Sequence, residues 1–160
     1  MAISEQQVAM KNQTLQNIFR KLGLWTTPEN LPKGQAQGLY ALAYDLYQRA
    51  QCREAQAIFL HLLLCTEFDA KNLMGLAACC HAEKNYAIAL SMYQLCIQSG
   101  LNYPIIHFHI SDCLLHLGNR QEAISELKKI LETPHGSATL QKLHTKARGM
   151  IDLLELNMEK

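Results

Sequence analysis

The residues that could do chemistry in this chain are its histidines, cysteines and carboxylates, and their spacing argues for little of it. His107 and His109 lie two apart, and on a helix such a pair points to different faces, so it makes no two-ligand metal clip. His109, Cys113 and His116 do share a helical face, with Asp112 beside them, and these are donor types that zinc accepts. A half-buried histidine beside a packed thiol explains the same pattern and is the preferred reading. Cys52, Cys65, Cys79, Cys80, Cys96 and Cys113 fall in apolar stretches with no C-x-x-C pair. Met1 to Val8 is polar and carries Glu5, unlike an export leader. The cysteines therefore read as small buried thiols of a reducing compartment, not as a disulfide framework. No phosphate-cradling glycine loop, Ser/His/Asp set or paired-acid motif is present. Glu54, Glu122 and Glu126 read as solvated charges on helix faces. No catalytic, cofactor or metal residue is assigned, and the expectation is a protein that binds and does not catalyse.

The elements that would position a binding site follow from composition. The chain has 160 residues, enough to bury a sizeable core without disulfides or metals. It is 49% apolar, so it is no disordered tail. Fifteen basic against fourteen acidic residues leave a net charge of +1, which argues against nucleic acid or an anionic membrane as the main partner. No apolar run reaches the roughly 18 residues of a spanning helix. Four prolines and eight glycines in a chain rich in Leu, Ala, Gln and Lys point to helix.

The sequence repeats itself at a shift of 34. Ala55, Ala89 and Ala123 fall in one column, as do Leu42, Leu76 and Ile110; Ala43, Ala77 and Ser111; Leu46, Cys80 and Leu114; Phe59, Tyr93 and Leu127; and Leu62, Cys96 and Ile130. A helix–turn–helix period of 34 is the tetratricopeptide signature. The small columns mark close helix crossings, and the large ones fill the space around them. The chain divides into an N-terminal segment, 1–35, three repeats spanning 36–137 (36–69, 70–103 and 104–137), and a C-terminal capping helix, 138–160. The fold class is an all-α tetratricopeptide solenoid.

In that geometry, repeat positions 2, 5, 9 and 12 of each first helix line a concave face. They are Gln37, Tyr40, Tyr44 and Tyr47; Lys71, Met74, Ala78 and His81; and Ile105, Phe108, Asp112 and Leu115. The core stripe of the first helix is already supplied by Leu39, Leu42, Ala43 and Leu46. Tyr40, Tyr44 and Tyr47 then form a second stripe, with Phe108 expected across from it. Apolar bodies with polar tips on a face open to water have the composition of peptide-binding anchors. The alternative is that another element of the same or a second chain fills the groove.

Both flanks read as structured. Val8, Leu15, Ile18, Phe19 and Leu22 form a helical stripe, followed by Leu24 and Trp25 in a loop. So many apolar groups need a partner, and a two-fold homodimer with Ile18, Phe19 and Trp25 at its interface is the expected solution. Leu140, Leu143, Ala147, Met150, Ile151 and Leu154 form the stripe of the cap.

Several segments are specific beyond a generic repeat: Leu39-Tyr40-Ala41-Leu42-Ala43-Tyr44-Asp45-Leu46-Tyr47-Gln48, then Glu54-Ala55 and Ile58-Phe59; Phe68-Asp69 before Met74-Gly75-Leu76-Ala77-Ala78-Cys79; and Tyr103-Pro104 through His109 to Asp112-Cys113-Leu114-Leu115. Over about residues 30–132 the chain resembles the class II chaperones of bacterial type III secretion. It departs from them at Leu22-Gly23-Leu24-Trp25 and at Ala50-Gln51-Cys52. The resemblance implies a cytoplasmic bacterial chaperone that keeps the hydrophobic translocators, later pore-formers in a host membrane, soluble until export. It implies an extended translocator segment with proline and leucine anchors in the groove, dimerisation through the N-terminal region and, in some members, co-regulation with a transcriptional activator. Rival readings are a generic repeat scaffold, a needle-subunit co-chaperone, which would prefer an amphipathic helix, and a metal-dependent enzyme. A clamp for a terminal carboxylate would need Lys, Asn or Arg where this chain has Tyr40, Tyr44, Gly75, Ile105 and His109.

Overall fold

The computed structural model describes residues 34–65, 69–134 and 136–156. They form seven helices and no strand: α1 (Gln35–Gln48), α2 (Cys52–Cys65), α3 (Ala70–Ala82), α4 (Tyr86–Gln98), α5 (Pro104–His116), α6 (Arg120–Leu131) and α7 (Ala138–Leu156). Each packs on the next in the chain; α1 also touches α3, and α5 touches α7. The fold is an all-α solenoid of helical pairs.

Three turns with one geometry build the pairs. After α1, α3 and α5 the chain passes through a left-handed residue, Ala50 (φ 61°), Lys84 (φ 64°) and Gly118 (φ 84°). The residue beyond reaches back five positions: Gln51 N–H donates to Leu46 O (2.9 Å), Asn85 N–H to Cys80 O (2.9 Å) and Asn119 N–H to Leu114 O (2.8 Å). This is the Schellman closure, which normally takes glycine at the left-handed position. Ala50 and Lys84 hold it with a Cβ present, at about 1–2 kcal/mol each. Helix starts are fixed locally as well. Pro104 occupies the first turn of α5, and Asp69 Oδ1 accepts from Lys71 N–H (2.8 Å) ahead of α3.

The alanines Ala55, Ala89 and Ala123 are fully buried, as are Ala77 and Ser111. One core cluster runs from α1 to α6 through Phe59, Leu76, Met92, Tyr93, Ile106 and Ile110. A second joins Ile124, Leu127 and Ile130 of α6 to Ala147 and Ile151 of α7, with Leu143, Met150 and Leu154 against it.

Three expectations change. Leu42 is not core: it is 48% exposed, and only Ala43 of α1 is buried. The equivalent Leu76 and Ile110 are buried. Phe108 does not face the tyrosine stripe but packs on the second cluster beside α7. Glu126 is not a solvated face charge: its Oε2 bonds His107 Nδ1 at 2.6 Å, its Oε1 accepts from Lys129 at 2.6 Å, and the His107 ring is buried. The stripe from Val8 to Trp25, including Ile18, Phe19 and Trp25, lies outside the described residues.

Cys52, Cys79, Cys80, Cys96 and Cys113 are free and buried. Burial is the first cause that pushes Cys79, Cys80, Cys96 and Cys113 up to about 12, and it raises Cys52 as well.

Candidate peptide-binding groove

Residues four and three apart on α1 carry Tyr40, Tyr44 and Tyr47 to one side of the helix. Tyr44 is 52% exposed, and Tyr40 and Tyr47 are half-buried. The Tyr40 ring stands edge-on to Phe59, with centroids 5.7 Å apart. Burial raises the phenols of Tyr40 and Tyr47 above their ordinary value, so both stay neutral hydrogen-bonding tips. Across from them α3 contributes Met74, Gly75 and Ala78, and α5 contributes Ile105 and His109. Together these side chains enclose a cavity of about 160 Å³ floored by Phe59 and Tyr93 from the second helices of their pairs.

The floor is visible because α3 is small where it crosses α2. A Cβ on Gly75 would lie 2.5 Å from the Phe59 ring, so helix α3 can seat there only as glycine. One repeat later the equivalent position is His109, whose imidazole stacks on Tyr93 at 5.3 Å and 11°. Burial, and next the charge of His81, lower His109 to about 4. It is therefore neutral at pH 7, and among the described residues no carboxylate, lysine or arginine lines the cavity. Tyr93 is fully buried, and its hydroxyl has no hydrogen-bond partner among the described residues. An apolar cavity without a charged side chain in its described lining fits an extended chain that brings apolar side chains.

Of the residues expected in the groove, Tyr40, Tyr44, Tyr47, Met74, Ala78 and Ile105 come together around this cavity. His81 and Asp112 form a wall beside it: His81 Nε2–H donates to Asp112 Oδ2 at 2.6 Å, tying α3 to α5. Leu115 packs against the first core cluster, and Phe108 sits beside α7. Gly75 and His109 occupy positions the sequence marks only as those of an absent carboxylate clamp, and Phe59 and Tyr93 are not expected in the groove at all. Their signal was the small residue at position 75, which opens the second-helix ring beneath it.

The zinc-like set disperses. His109 lies on Tyr93, and Cys113 is buried as a thiol. His116 stacks on Tyr86 at 4.0 Å and 6°, with its Nε2 3.9 Å from Asp112 Oδ2. Among the described residues no three His, Cys, Asp or Glu side chains gather as a metal site.

No family model matches the chain. It is 29% identical to Low calcium response locus protein H of Yersinia pestis over 121 residues, which is 76% of this chain and 72% of that protein. Its fold superposes on the type III secretion chaperone SycD of Yersinia enterocolitica, solved with a peptide of the translocator YopD. The TM-score is 0.74 and the identity 26%, over 81% of this chain and 99% of that one. The chain is a relative of the class II type III secretion chaperones. PcrH, solved with the chaperone binding region of PopD, matches this chaperone relative at a TM-score of 0.72 and 26% identity, over 82% and 99% of the two chains. SycD has also been crystallised as an alternative dimer. No helix among the described residues is long and apolar enough to cross a membrane.

Proposed function

We propose that this protein is a cytoplasmic chaperone of bacterial type III secretion that holds a hydrophobic translocator by an extended segment lying in the groove of α1, α3 and α5. The observation that carries this reading is the uncharged aromatic cavity beneath the tyrosine stripe. The relatives of like fold bound to translocator segments support it. A translocator's apolar surface aggregates in water. A few anchors bedded on Tyr40, Tyr44 and Met74, each contributing about 1–3 kcal/mol, offset the ordering of a short segment. The protein acts by binding: its described buried thiols are held protonated and are no nucleophiles. Residues 36–137 are the binding unit and 138–160 its cap.

The test is affinity for purified hydrophobic translocators of type III secretion from the same bacterium. Tyr44→Ala is expected to weaken binding by about 1–2 kcal/mol. Helical content and melting temperature should hold, because Tyr44 is half in solvent. Full-strength binding by a folded Tyr44→Ala protein would remove the groove from the account.

The same reading carries a homodimer formed through residues 1–25, with Ile18, Phe19 and Trp25 at the interface. Sedimentation of the full chain and of a chain lacking 1–25, over a concentration series, is expected to show a dimer and a monomer respectively. A full chain that sediments as a monomer at high concentration refutes the dimer.

A further inference from the structure

We infer that the binding face has a second compartment, between the start of α5 and the first half of α7, which takes an apolar side chain flanked by a carboxylate on the same bound segment. The inference rests on the chaperone reading and names a further feature of its cargo. A cavity of about 610 Å³ opens there. Its apolar surface comes from Tyr103 and Ile105 on one side and Leu140 and Leu143 on the other. Tyr103 and Ile105 are 50% and 40% exposed, large apolar groups that the fold does not cover. Its charged lining is Lys142 and Lys146, one turn apart on α7, and no carboxylate lines it. Neither lysine has an ion pair among the described residues. By contrast, Lys128 and Lys129 on α6 are paired with Glu155 and Glu126.

Two features select the occupant. Ile105 is a wall of both this cavity and the aromatic one, so a segment leaving the tyrosine stripe over Ile105 enters the second compartment directly. An apolar interior with two unpaired ammonium groups calls for a leucine-like side chain with an aspartate or glutamate next to it. The aromatic cavity, which has no charge, supplies no such preference.

The test has two arms. In the first, acetyl-Leu-Asp-Glu-amide and acetyl-Leu-Asn-Gln-amide are titrated into the full, isotope-labelled chain and followed by NMR. The acidic probe is expected to shift the amides of Tyr103, Ile105, Leu140 and Lys146 and to bind about five-fold more tightly than the neutral one. The preference should vanish in Lys142→Glu/Lys146→Glu, whose side chains are exposed. Equal binding of the two probes overturns the inference. So does binding that is seen only after residues 1–33 are removed, because the chain's own segment would then be the occupant.

In the second arm, an array of overlapping peptides tiling the translocator is probed with the wild-type chain, Tyr44→Ala and the double lysine variant. Loss of acid-flanked peptides with the lysine variant supports the inference. Loss with Tyr44→Ala alone overturns the second compartment and leaves the chaperone reading standing. Loss with neither variant overturns the chaperone reading, while the probe shifts still report on the compartment by themselves.

Discussion

Ala89→Leu is expected to lower the melting temperature by about 10 °C, or to abolish the folded state. Ala89 is fully buried in α4 and lies in the same column as the fully buried Ala55 and Ala123. Helix α4 is packed on both sides, by α3 and by α5. Three added carbons therefore have no solvent face to turn to. Overpacking of this kind costs about 1–3 kcal/mol, and more where the neighbours cannot shift. In a chain of this size each kcal/mol is worth about 2–4 °C. Thermal unfolding followed by circular dichroism reads the effect. A variant that melts with the wild type would mean that the α3–α4–α5 crossing has room the buried column does not reveal.

Tyr93→Phe is expected to move stability and binding in opposite directions. In the free protein the Tyr93 hydroxyl is a buried donor without a partner, and such a group costs about 1–3 kcal/mol. Deleting it should raise the melting temperature of the free chain. Where cargo opens the floor to this hydroxyl, which is closed to solvent in the free chain, the same deletion takes from the complex the hydrogen bond that a cargo carbonyl would accept. The wild type gains on binding both that bond and relief from the orphaned group, so the variant should lose affinity by about 1–3 kcal/mol. A denaturation curve and a titration with the translocator, run on the same two proteins, give both signs. If neither quantity moves, the hydroxyl already has a partner in solution and does not serve the cargo.

The repeat arithmetic was legible because it rests on volume. Ala55, Ala89 and Ala123 must be small where helices cross, and the spacing of 34 exposes that constraint with no knowledge of coordinates. The tyrosine stripe was legible for a similar reason: i, i+4 and i+7 on a helix whose core face is occupied leaves an outer face to explain. What escaped depended on neighbours. Phe59 and Tyr93 belong to second helices, and a one-dimensional register assigns them to packing; only the missing side chain at Gly75 lets the Phe59 ring reach the groove. Leu42 shares a column with Leu76 and Ile110, but a column does not report exposure, and Leu42 alone of the three lies open. Phe108 has the periodicity of a groove residue, yet α7 closes over it. Glu126 looked solvated because its partner, His107, is nineteen positions away on another helix.

The buried thiols give the array a set of internal clocks. Cys52 sits on α2, Cys79 and Cys80 on α3, Cys96 on α4 and Cys113 on α5. Because burial pushes four of them up to about 12, the reactive thiolate is scarce at neutral pH while a helix is closed. An opened helix returns its thiol to the ordinary range, where alkylation is faster by orders of magnitude. The alkylation rate at each site therefore measures how often that helix leaves its neighbours. Three consecutive helices of the solenoid, α3 to α5, can be timed separately, without an added label, with and without cargo in the groove.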